Sequence, residues 1–113
     1  MQKTEVTEAL ELLQQHGVLD RQPLEAIPDF TLEELHALLT KQVLYLLERD
    51  MDRLLQAMYR IDVGEQKVKE ALVSADPASQ LAGLILQREM MKVQTRRWYA
   101  NRQNASAPSN AIE

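Results

Sequence analysis

Apolar side chains recur at steps of three and four along most of this chain, with polar residues between them. The pattern is strongest from Phe30 to Asp62. Leu32, Leu35, Leu39, Val43 and Leu46 fall on one face of an α-helix. Leu38, Leu44, Tyr45 and Leu47 widen that stripe, which predicts a helix packed by several neighbours. Thr31 and Glu34 have the spacing of a capping box, and Phe30 with Leu35 fits a hydrophobic staple around it.

The pattern pauses at Glu48-Arg49-Asp50. Asp50 is a cap candidate for a second helix with Met51, Leu54, Leu55, Met58 and Ile61 as its inner face. Two helices are the preferred reading of 31–61, and one kinked helix is the competing one. Asp62 and Glu65 repeat the cap-plus-three spacing, so a further helix is expected over about 63–73, with Val68 and Leu72 facing inward.

The flanks read similarly. A first helix is expected over about 4–16, with Val6, Leu10 and Leu13 inward and Glu5 and Glu8 at the positive end of its dipole. Gly17 is placed to end it in a left-handed conformation, with Val18 folding back onto Leu13. Pro23 and Pro28 interrupt the next stretch, where Leu24 and Ile27 look like core anchors and 23–26 suits one helical turn. Asp76-Pro77 restarts the chain as a cap followed by a first-turn proline. The last helix is expected to reach Arg97 or further. Leu81, Leu84, Ile85 and Met91 form one of its stripes, and Leu86, Met90 and Val93 an adjacent one. The methionines Met51, Met58, Met90 and Met91 suit an adaptable binding surface, but at helical spacing they are expected mainly in the core. Residues 101–113, rich in Asn, Ala and Ser, are read as a disordered tail. The expectation is an all-α single domain over 1–100, with four or five helices in a small bundle or orthogonal array and a long C-terminal helix.

Composition narrows the function classes. The chain has 113 residues and no cysteine, so disulfides and thiolate metal sites are excluded. No secretory signal is read at Met1-Gln2-Lys3-Thr4-Glu5, and no apolar run approaches a membrane span. A cytoplasmic protein is the expectation. The net charge is −4 but uneven. Residues 1–86 hold 8 basic and 15 acidic side chains, a balance of −7, whereas residues 87–113 carry +3.

Catalytic chemistry finds little support. Glu33 and His36 have the Glu-x-x-His spacing of carboxylate-bridged metal bundles, but those use two such motifs and the chain has one. No metal or cofactor is expected. There is no nucleophile elbow or glycine-rich phosphate loop, and carboxylates such as Asp50 and Asp52 read as caps, so the protein is not expected to be an enzyme. The alternating charges from Arg49 to Asp62 read as a solvated face.

The candidate partner-binding residues are Lys92, Arg96, Arg97, Trp98, Tyr99 and Arg102. Arg, Trp and Tyr are enriched at interface hot spots, and basic groups among aromatics also suit nucleic acid. The competing reading is structural: basic residues complement a helix C-terminus, and Trp98 packs on the core. The preferred function is a non-catalytic interaction module, self-association included. A nucleic-acid-associated regulator using the basic end is the alternative.

Met58-Tyr59-Arg60-Ile61-Asp62-Val63, then Glu65, Lys67-Val68, Asp76-Pro77 and a long last helix, together resemble a set of short, uncharacterised helical proteins of bacteria over about residues 30–97. The resemblance implies a bacterial cytoplasmic helical protein and assigns no activity.

Overall fold

Local signals in the sequence set most of the helix boundaries. The computed structural model describes residues 4–20 and 31–112, with side chains described through Arg102. Among the described residues are five helices and no strand: α1 (Glu5–Gln15), α2 (Leu32–Arg49), α3 (Met51–Ile61), α4 (Glu65–Leu72) and α5 (Pro77–Ile112). The expected anchors Leu24 and Ile27, the turn at 23–26 and the Phe30 staple lie outside the described residues.

Thr4 caps α1 by accepting from the Thr7 amide at 3.0 Å. At the other end Gly17 takes φ +85°. The Val18 amide then reaches the Leu13 carbonyl at 3.0 Å and the Gly17 amide reaches Gln14 at 3.2 Å, the paired bonds of a Schellman motif. A side chain at Gly17 would meet both a strained backbone and the Arg60 guanidinium, 3.3 Å from where its Cβ would stand. Thr31 and Glu34 form the expected capping box, with Glu34 N–H donating to Thr31 Oγ1 at 3.1 Å and Thr31 N–H donating to Glu34 Oε1 at 2.9 Å. The Thr31 backbone amide foremost, and its hydroxyl second, hold the Glu34 carboxyl below the ordinary carboxylate range. Asp50 separates α2 from α3 and accepts from the Arg53 amide at 3.2 Å, so 31–61 forms two helices. Asp76 accepts from the Ser79 amide at 3.3 Å and starts α5 at Pro77.

Asp62 departs from expectation. It ends α3 in the left-handed conformation, φ 67° and ψ 48°, and does not cap α4. The Val63 amide bonds Met58 and the Asp62 amide bonds Tyr59, so an aspartate occupies the place usually held by glycine. Gly64 precedes α4 without a side-chain cap. The short polar side chain of Asp serves at either kind of terminus, and spacing alone favoured the wrong one.

The core gathers on α5, which packs against all four other helices, whereas α2 packs against α1, α3 and α5. Leu35, Leu39, Val43 and Leu46 of α2 meet Leu81, Ala82, Ile85 and Leu86 of α5, with Leu10, Leu12 and Leu13 of α1 and Leu54, Met58 and Ile61 of α3 completing the cluster. The inner stripe of α5 runs Ala78, Leu81, Ala82, Ile85, Leu86, Glu89 and Val93. Met91, expected inside, is 47% exposed because it lies a half-turn away from Glu89 and Val93. Met58 is buried, and Met51 and Met90 are partly so.

Past Arg97 every described side chain on α5 is exposed, and the helix continues to Ile112. The boundary read at residue 101 therefore falls inside α5. No described helix is long and apolar enough to cross a membrane.

Candidate functional site

The six candidate residues sit on one stretch of α5 but do not act as one patch. Arg97 turns back to α1. Its Nε and Nη2 donate to the two Glu8 carboxylate oxygens, both at 3.1 Å, and Nη1 lies 3.9 Å from Glu5 Oε2. Those hydrogen bonds to Glu8 raise the guanidinium above its ordinary value. The two glutamates that favour the start of α1 thus also clamp α5. Lys92 turns toward the same seam, with Nζ 3.8 Å from Glu89 Oε1.

The other four are exposed, Arg96 at a phase that faces α1 and Trp98, Tyr99 and Arg102 away from it. Trp98 is 53% exposed and Tyr99 55%. Their rings meet edge to face with centroids 4.9 Å apart, and the Arg102 guanidinium lies 5.1 Å from the Trp98 ring centre. Such edge-to-face and cation–π contacts hold the rings in place without covering them. Arg96 is exposed beside the α1 seam. Trp98 is therefore not a core residue, which answers the structural reading of this segment.

Two features escaped the sequence reading. The first is Glu89, fully buried within the apolar stripe of α5. Its Oε2 lies 2.6 Å from His16 Nδ1 at the end of α1. With Glu89 ionised, the imidazole N–H donates and the carboxylate accepts. Oε1 has no hydrogen-bond partner and only the more distant Lys92 ammonium. A carboxylate in this position is costly unless paired, so His16 is structurally required. The signal was present: Glu89 stands four residues after Ile85 and four before Val93, at a core phase.

The second is an open groove of about 650 Å³ between the start of α2 and α5. Leu32, Glu33 and His36 form one wall, and Gly83, Leu86, Gln87, Met90, Met91 and Gln94 the other. His36 Nε2 lies 3.2 Å from the Ser79 carbonyl, so the ring donates there and its face closes one end of the groove. Glu33 and His36, adjacent in the expected helical sense, belong to this groove wall; among the described residues no three His, Asp or Glu side chains converge as metal ligands would. Compared with known proteins, the chain matches no family model, no curated protein and no solved structure.

Proposed function

We propose that this protein is a non-catalytic interaction module whose binding element is the outer end of α5. The observation that carries this reading is the pair Trp98 and Tyr99, half exposed and fixed against each other and Arg102. Aromatic rings already ordered before binding lose little conformational freedom on contact, and Trp, Tyr and Arg supply most hot-spot energy. The resemblance to bacterial helical proteins supports a cytoplasmic setting.

The test is capture of partners from native lysate by the immobilised protein, with mass spectrometry, comparing wild type with Trp98→Ala. The partner should bind at least about 2 kcal/mol more weakly to the variant, while unfolding stability changes by only about 0.5 kcal/mol. A fall in stability of core size, with binding unchanged, sinks the proposal.

A nucleic-acid-associated role is the second reading, favoured by the exposed Arg96 and by Arg102 lying over the Trp98 ring. Arg97 weighs against it, since Glu8 and Glu5 already neutralise that charge. Tight retention on a nucleic-acid column near physiological salt, falling steeply as salt rises, would promote this reading over the first.

A further inference from the structure

The α5 wall of the groove does not stop at the groove. Gly83, Gln87 and Met90, and then Met91, Gln94 and Trp98, follow at steps of three and four, with the adjacent Met90 and Met91 on either side of the midline, so the six line one broad face over about 22 Å. At its groove end this face has α2 beside Gly83, while Gln87, Met91, Gln94 and Trp98 are exposed and no other described helix covers them. Its residues are also arranged symmetrically. Reading inward from both ends, the smallest side chain, Gly83, answers the largest, Trp98; Gln87 answers Gln94; Met90 answers Met91. A face with like residues at its middle and a small residue at one end against a large one at the other is complementary to itself when two copies lie antiparallel.

We infer that the occupant of this face is a second copy of the chain, its α5 antiparallel to the first about a two-fold axis at Met90 and Met91. This rests on the proposal that the outer end of α5 is a binding element, and it names the partner. Trp98 of each copy then fills the space left by Gly83 of the other, next to His36 and Leu32. The glutamine amides of Gln87 and Gln94 pair across the axis, each offering a donor and an acceptor. Charge agrees with this direction. The +3 end of one copy lies along the −7 body of the other, and Arg102 comes to the first turn of the facing α2, where Glu33 and Glu34 are exposed. A parallel pair would set basic end beside basic end. Gly83 has room for a methyl within its own chain, since an added Cβ would stand 3.7 Å from His36 Nε2, an ordinary contact. Its missing side chain is thus explained by what approaches from outside.

The cysteine-free chain permits a direct test. Nitroxide labels on Asn101→Cys, and separately on Gln80→Cys, should lie about 30 Å apart across the dimer, because each residue faces the other one's position, 21 residues along the helix. A mixture of the two labelled chains should add a separation of about 10 Å, the ordinary spacing of packed helices. Sedimentation over a dilution series gives the second readout. Gly83→Ala should raise the melting temperature of the monomer, since alanine is the better helix former, yet weaken association roughly tenfold. Trp98→Ala should weaken it at least about thirtyfold. Label separations near 10 Å for Asn101→Cys alone would mean a parallel pair and overturn the inference. So would a wild-type protein monomeric at every concentration. In that case Trp98-dependent capture of another protein would leave the interaction proposal standing, whereas its absence would remove both.

Discussion

The two halves of α5 obey different rules. From Pro77 to Val93 the helix keeps an apolar residue, or Glu89, at every inward position and packs on that side against the other helices. Beyond Val93 the same inward positions hold Arg96, Arg97 and Ala100, and ion pairs of Arg97 with Glu8 and Glu5 hold the helix to α1. Packing has ended, and what remains is exposed surface tied down at one point. The lesson is that an exposed tryptophan at the end of a core helix can be read from phase. Trp98 lies on the side of α5 opposite Glu89, where no other described helix covers it.

The largest test of this contrast sets Ile85→Ala beside Trp98→Ala in urea unfolding. Ile85 is fully buried, and its truncation should cost about 2–5 kcal/mol. Trp98→Ala removes a larger side chain and should cost only about 0.5 kcal/mol. Equal losses would erase the distinction between the halves. Next in size is His16→Ala, which strips Glu89 of its only hydrogen-bond donor and should cost about 3 kcal/mol. Glu89→Leu in that background should recover most of the loss, since a buried pair replaced by apolar groups is commonly neutral or stabilising. Failure to recover would mean that His16 holds α1 by packing rather than through the carboxylate.

Thr31→Ala is expected to cost about 1 kcal/mol by uncapping α2, the helix that forms the other groove wall. The pH dependence of the cap has a definite sign. Glu34 has a folded-state value below its ordinary one, so its contribution is present above the ordinary carboxylate range and is lost as pH falls through the depressed value. The melting-temperature gap between wild type and Glu34→Gln should therefore close on acidification; a gap that widens contradicts the cap. The smallest global effect belongs to Arg97→Ala. It should leave the melting transition nearly unmoved while amide exchange quickens along the outer end of α5, because Arg97 ties the part that packing has abandoned.

Features that depend on near neighbours were legible in the sequence. The caps at Thr31, Asp50 and Asp76 and the left-handed Gly17 each involve a few consecutive residues, and all appear where their spacing places them. Asp62 misled because its two possible local roles share one signature. The prominence of α5 over α2 could not be read, since each has a broad apolar stripe and the number of neighbours is a property of the assembled bundle. Within the candidate site, the sequence reading left Trp98 open between core and interface, although its phase opposite Glu89 carries its exposure. The use of Arg97 by Glu8 and Glu5 does not follow from spacing, because those partners enter only when α1 folds onto α5.

Glu89 also bears on how α1 finds its seat. A stripe of leucines on one helix offers a neighbour several nearly equivalent resting places, each displaced by one turn, about 5.4 Å. Leucine on leucine discriminates poorly among them. One turn of slippage would carry the imidazole out of reach of the carboxylate and leave that charge sealed in hydrocarbon, so the buried pair penalises each wrong alignment more than it rewards the right one. In Glu89→Leu the penalty disappears, and amide resonances of α1 should broaden or double as the helix samples neighbouring positions; a single sharp set would show that shape alone suffices. On this view, Glu89 is less a source of strength than a stop that keeps α1 from sliding.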